Sequence, residues 1–198
     1  CAIFFLTLLF SLPLGMLVAL LRMSKNRLIS GAVRFVISIL RGTPLMLQLL
    51  AVTYGPYYLF GMNVSRNKLI PVVTAFAINY AAYFAEIYRG GIESIPRGQY
   101  EACKVLGYSR AQTFFFIVLP QVVKRIIPAM GNEVITLVKD TALVSVIGVA
   151  ELLLVAKERQ SALFSFTPLF IAGVFYFIMN AFVSFAFIKI EKKLSYYR

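Results

Sequence analysis

The sequence predicts an all-α, polytopic membrane protein with about five transmembrane helices, and three observations lead there. Hydrophobic residues make up 60% of the 198 residues and charged residues only 14%, with a mean hydropathy of +0.82. A soluble domain is about half apolar and about a quarter charged, so much of this apolar surface must face lipid. The apolar residues fall in long uncharged runs, and a helix needs about 20 such residues to cross the roughly 30 Å hydrocarbon core. The stretches between the runs are basic, and the net charge is +12. In a soluble protein that excess would suggest nucleic acid; alternating with apolar runs it marks cytoplasmic loops, and no nucleic-acid partner is expected.

The spans follow in order. Cys1 to Leu21 is an uncharged run of 21 residues and gives a first span at about 1–21. Gly42 to Ser65 gives 24 uncharged residues, within a second span at about 35–60, and Leu69 to Ala85 gives 17, within a third at about 69–89. Ala111 to Val123 is uncharged over only 13 residues and flanked by Arg110 and Lys124. It is too short to cross and is expected to lie at the membrane surface. Residues 129–155 are apolar at most positions but contain Glu133, Lys139, Asp140 and Glu151, so charge alternation decides them. If they span, the strongly basic segments share one side with 15 Lys/Arg against 4 on the other; if not, the tail with Lys189, Lys192, Lys193 and Arg198 falls on the wrong side. The positive-inside tendency therefore favours a fourth span at 129–155. The last run, Gln160 to Ile188, reads as a loop followed by a fifth span at 168–188, which leaves the N-terminus outside and the C-terminus in the cytoplasm.

The chain is expected to form one membrane domain over 1–198. Pro13, Gly15 and Pro56 suit packing or bends in such helices. The 18 Phe and 11 Tyr read as lipid-facing or interfacial residues rather than a cofactor box. The chain has no His, and its two cysteines, Cys1 and Cys103, lie far apart. A His-based triad, a His metal site and a two-cysteine zinc site are thereby excluded, and neither a disulfide nor a metal is expected. Cys1 leads straight into an apolar segment with no Met before it and no polar tether after it, so further residues are expected to precede it.

The cytoplasmic loop at about 90–128 is too regular for a passive tether. Ser94, Pro96 and Gly98 punctuate a turn, and Gln99 to Leu106 forms a short helix that Gly107 ends. A helix held between two spans is suited to plug a partner's groove. Glu101-Ala102-Cys103, then Gly107 after three residues, Ile117 after nine more, and Leu119-Pro120 resemble the coupling-loop signature of permease subunits of binding-protein-dependent ATP-binding-cassette importers. Cys103 stands where a second Ala is usual, a small apolar replacement. Arg41-Gly42-Thr43-Pro44-Leu45, Ala85 to Ile92 and Lys139 to Gly148 are similar to the polar amino-acid branch of that family, in the same order.

The resemblance implies a type I importer permease in the plasma (inner) membrane, pairing with a second copy or close relative, two ATPase subunits and an extracytoplasmic solute-binding protein. No G-x-x-x-x-G-K-[ST] stretch occurs here. This chain is then no enzyme by itself and binds no cofactor, ATP and Mg sitting on the ATPase subunits. Gln99, Tyr100, Glu101, Ala102, Cys103 and Gly107 are the implied coupling residues. Glu101 would anchor the helix in the ATPase groove, Ala102 and Cys103 would allow close approach, and Gly107 would permit the tight turn. The alternative for Glu101 is a solvated surface charge.

Ionisable groups inside a membrane cost about 2.5 to 3.5 kcal/mol each on insertion scales and mark a pathway or a pair. Helical spacing puts Asp140, Val144, Gly148 and Glu151 on one face with Thr141 and Ser145 alongside; Asn79, Tyr83 and Glu86 form a second stripe, and Tyr176, Asn180 and Ser184 a third. These stripes predict a polar cavity with Asn79, Tyr83, Asp140, Thr141, Ser145 and Asn180 as substrate contacts and Glu86 and Glu151 as gate or rim residues. An amino acid carries an ammonium and a carboxylate, so acid plus donors would suit it, and a basic one fits the acidic stripe. The alternative for Asp140 is a structural pair with Lys139 or a neighbouring helix. Two rival functions use the same features: a small oligomeric ion channel, and a permease for a solute other than an amino acid.

Overall fold

The computed structural model describes residues 1–62 and 67–194. The end of the Gly42–Ser65 run, Arg66 and Arg198 lie outside them. The described chain is helical, with no strand: α1 (Ala2–Arg22), α2 (Arg27–Gly42), α3 (Leu45–Phe60), α4 (Leu69–Glu93), α5 (Arg97–Val105), a short α6 (Arg110–Gln112), α7 (Leu119–Asp140), α8 (Leu152–Leu163) and α9 (Thr167–Leu194). A π-helical turn, Thr113–Val118, links α6 to α7, and a 3₁₀ segment, Thr141–Ile147, continues α7.

Helix α4 is the core of the bundle. Val72, Phe76, Asn79, Tyr80, Phe84 and Ala85 are all buried, and α1, α2, α3 and α7 pack around them. The tightest pairing is α1 on α4. Thr7, Ser11, Gly15 and Ala19 recur every four residues on the buried face of α1, opposite Ala77, Ala81 and Ala85 of α4. Small residues let two helix backbones approach, which drives association where lipid offers no hydrophobic contrast. A Cβ on Gly15 would lie 2.9 Å from Phe84 Cβ and 3.1 Å from the Ala81 carbonyl oxygen. Helix α9 packs on α7 and α8 and turns most of its surface outward, with Phe170, Phe177 and Phe182 exposed.

Among the described residues four helices are long and apolar enough to cross a membrane, and a fifth crossing results if the bent pair α2–α3 is one span. Two expected spans change form. The span at 35–60 is a pair of helices bent by 106°. Pro44 ends the first helix: it forces the preceding residue out of the helical region, and Thr43 sits at φ −116°, ψ 146°. The span at 129–155 is part of a longer rod running from Arg110 to Ile147. Ala111 to Val123 is thus the first half of that rod and not a separate surface helix. Pro120, which has no N–H to donate, sits in the first turn of α7 directly after the π turn, where the wider backbone accommodates it. At the other end Gly148, at φ +70°, stops the rod. Glu151 then belongs to a new helix. The expected single stripe from Asp140 to Glu151 is therefore broken, because the α-helical repeat ends at Asp140 and a 3₁₀ turn follows. The coupling loop is correspondingly shorter than 90–128, since α4 reaches Glu93 and the rod starts at Arg110.

Candidate functional site

The break between α2 and α3 exposes carbonyls that need donors. Gln48 Nε2 donates to the Leu40 carbonyl at 2.8 Å, to Thr43 Oγ1 at 2.8 Å and to the Thr43 carbonyl at 3.2 Å. Asn79 Nδ2 donates to the same Leu40 carbonyl at 3.1 Å and to Gln48 Oε1 at 2.9 Å. Asn79 is buried, and both hydrogens of its amide serve the break. Next to it on α4, the Tyr80 hydroxyl donates to Asp140 Oδ2 at 2.7 Å. Asp140 makes no ion pair with Lys139, which is exposed. Tyr83, one turn further along, lies beneath Arg41, whose guanidinium carbon is 5.1 Å from the ring centre. Asn79, Tyr83 and Asp140 are thus gathered around α4, bridged by Tyr80, Gln48 and Arg41.

The other predicted cavity residues form a second group. Glu151 caps α8 by accepting from the Leu154 N–H at 2.8 Å and takes the Tyr176 hydroxyl at 2.8 Å on its other oxygen. Thr141 donates to the Val138 carbonyl at 2.7 Å and also lies against Tyr176. Asn180 donates to the Tyr176 carbonyl at 3.0 Å, while its Oδ1 is buried without a donor. Ser145 turns its hydroxyl back to the Ala142 carbonyl at 2.8 Å and joins neither group. Glu86 is an ion-pair residue: its Oε2 accepts from Arg89 Nη2 at 2.6 Å and Nε at 3.0 Å, and Oε1 lies 3.7 Å from Arg22 Nε.

At one end of the bundle α5 stands between α4 and the rod. Pro96 and Leu106 cap it, and Gly107 at φ +76° turns the chain toward α6. Ser109 and Gln112 close a capping box that starts the rod. Two side chains of the rod hold the turn in place: Arg125 donates to the Ser94 carbonyl and to Ser94 Oγ, and Gln121 Nε2 reaches Gln99 Oε1 at 3.4 Å. Cys103 is 4% exposed and packs inward, while Tyr100, Glu101 and Ala102 face out. The six predicted coupling residues therefore divide into two turned toward the bundle, Gln99 and Cys103, three that present an outer surface, Tyr100, Glu101 and Ala102, and Gly107, which makes the turn. The same surface continues into Val105 and Leu106, 88% and 71% exposed. Their exposure follows from α5 being only nine residues long, with one buried side.

An apolar helical bundle with a broken span, buried polar side chains at its centre and a short exposed helix at one end defines a polytopic membrane protein. Comparison with known proteins gives its family. Residues 11–196 match the binding-protein-dependent transport system inner membrane component family, and the chain belongs to it. It is 36% identical over 186 residues to a putative glutamine transport system permease protein of Rickettsia felis, covering 93% of this chain and 84% of that one. It is 37% identical over 184 residues to an arginine transport system permease protein of Bacillus subtilis, covering 92% and 83%. A crystal structure of an amino acid ABC transporter with histidines matches with a TM-score of 0.87 at 37% identity, over 97% of this chain and 89% of that one.

Proposed function

We propose that this chain is the membrane-spanning subunit of an ATP-driven importer that carries a polar amino acid by alternating access. The exposed helix α5 carries the reading: a helix with Tyr100, Glu101, Ala102, Val105 and Leu106 turned outward, braced from behind by Gln121 and Arg125, can pass a push from a partner into the rod. ATP with Mg binds to two separate ATPase subunits, and nucleotide drives the cycle because its affinity differs between the two states. A second permease subunit completes the path and an extracytoplasmic binding protein delivers the solute. The similarity to relatives named for glutamine and arginine transport supports an amino acid as the cargo. The two polar groups around Asp140 and Glu151 offer acids and donors for its ammonium and carboxylate. The subunit lies in the inner membrane with its N-terminus outside and its C-terminus and α5 in the cytoplasm.

The test is ATP-driven uptake into vesicles holding the complete transporter and its binding protein. Uptake of labelled glutamine or arginine, but not of a sugar, is expected; uptake of neither amino acid would overturn the cargo. With Cys1→Ser and Cys103→Ser removing the native thiols, Lys25→Cys should react with an impermeant thiol reagent only from the cytoplasmic side.

A further inference from the structure

A cavity of about 430 Å³ opens between α1, α2 and α4, lined by Arg22, Arg34, Ser38, Arg41, Glu86 and Arg89. Four guanidiniums face one carboxylate there, and that carboxylate is committed to Arg89, which also pairs with Glu93 at the cavity's edge, so the unbalanced cations are Arg22, Arg34 and Arg41. Arg22 donates from Nη1 to Ser30 Oγ at 3.0 Å, but its Nε, 3.7 Å from Glu86 and too far for a hydrogen bond, is buried without an acceptor. Arg34 and Arg41 take part in none of the ion pairs among the described residues. Arg34 and Arg41 are exposed and Arg22 half-buried, and like charges gathered in one open cavity repel one another until an anion enters.

The shape of α2 indicates which anion. Arg27, Arg34 and Arg41 recur every seven residues, so one face of the helix is cationic, while Leu28, Phe35, Val36 and Ile39 on other faces are 83%, 67%, 52% and 47% exposed. The helix thus offers an apolar surface for acyl chains beside a basic cavity, the arrangement that receives a phospholipid headgroup between membrane helices. The free donors come from the end of α1, the middle of α2 and the end of α2. A planar carboxylate has two oxygens for them, whereas a phosphate has enough to meet three guanidinium groups at once.

We infer that this cavity binds a phosphate oxyanion, supplied by an anionic phospholipid headgroup or by soluble phosphate. The inference rests on the membrane reading above, and its orientation decides only which leaflet is involved. Purified, delipidated transporter in detergent tests it, with phosphatidylglycerol followed by native mass spectrometry and inorganic phosphate followed by thermal unfolding. Arg34→Gln is the main variant and Arg27→Gln, on the same helix but outside the cavity lining, the control. Phosphatidylglycerol retention about tenfold weaker in Arg34→Gln, unchanged in Arg27→Gln and intermediate in Arg34→Lys, is the expected result. Stabilisation by inorganic phosphate that Arg34→Gln abolishes, without a lipid effect, assigns the soluble source. If neither probe distinguishes wild type from Arg34→Gln and Arg34→Lys, the site does not exist. The readout is binding, so a failure of the uptake assay leaves it untouched.

Discussion

Tyr80 on α4 holds Asp140 at the end of α7 through a hydrogen bond of 2.7 Å, and this bond joins the core helix to the point where the rod changes from α to 3₁₀ geometry. Tyr80 is itself 2% exposed, so the bond is sheltered from water. Interhelical hydrogen bonds in membranes contribute about 0.6 kcal/mol on average and up to about 1.7. Tyr80→Phe should destabilise the purified protein by about 1 kcal/mol, and Asp140→Asn, which still accepts the bond, by less. Thermal unfolding of both variants in detergent checks the order.

The α1–α4 contact predicts a contrast between two glycines. Gly15→Ala places a methyl group against Phe84 Cβ and the Ala81 carbonyl, which can yield only by moving the helices apart. Overpacking of this kind costs about 1 to 3 kcal/mol. Gly55→Ala, with nothing within 4 Å of the new methyl, should be neutral or slightly stabilising. Thermal unfolding of the pair separates the close approach from a general effect of replacing helical glycine.

At the α2–α3 break, Asn79→Leu removes one donor to the Leu40 carbonyl and leaves Gln48 Oε1 without its partner. A buried acceptor left unpaired costs about 1 to 3 kcal/mol. Loss of stability in that range is expected, measured by denaturation in detergent, and Gln48→Leu should cost at least as much because it bonds three acceptors at the break.

Much of this architecture was legible in the sequence, because long uncharged runs report directly on helices that face lipid. The span at 69–89 corresponds to α4, and the fifth, placed at 168–188, to α9, which runs on to Leu194. What misled was reading charge as an interruption: Lys124 and Arg125 sit in an unbroken rod, and Arg125 is used to bind Ser94. The α2–α3 bend had a signal in Pro44, but a proline alone does not set a 106° angle. In the site, Asp140 and Asn79 stood out as polar residues in apolar surroundings. Their partners did not: Tyr80 is one residue off the Asn79–Tyr83–Glu86 stripe, and Gln48 lies 31 residues from Asn79. Arg22, Arg34, Arg41 and Arg89 read as two separate basic loops until the fold brought them to one cavity.

A lysine links the loop before α4 to the end of the rod. Lys68 Nζ donates to the Ile147 carbonyl at 2.6 Å, in the last turn before Gly148. A cation bonded to the final carbonyls of a helical segment contributes about 0.3 to 1 kcal/mol. Lys68→Met should therefore loosen the 141–147 segment, raising its amide hydrogen exchange while leaving exchange in α1 unchanged.

The central claim is that α5 is the surface through which ATPase subunits act on this chain, and purification in mild detergent with mass spectrometry of what remains bound tests it most directly. Glu101→Ala with Leu106→Ala is the informative variant, since both side chains are exposed and neither supports the fold. An ATPase subunit that accompanies the native chain and is lost from the variant is the predicted result. A clean oligomer of this chain alone, the same with and without the two substitutions, would contradict the claim and favour a channel.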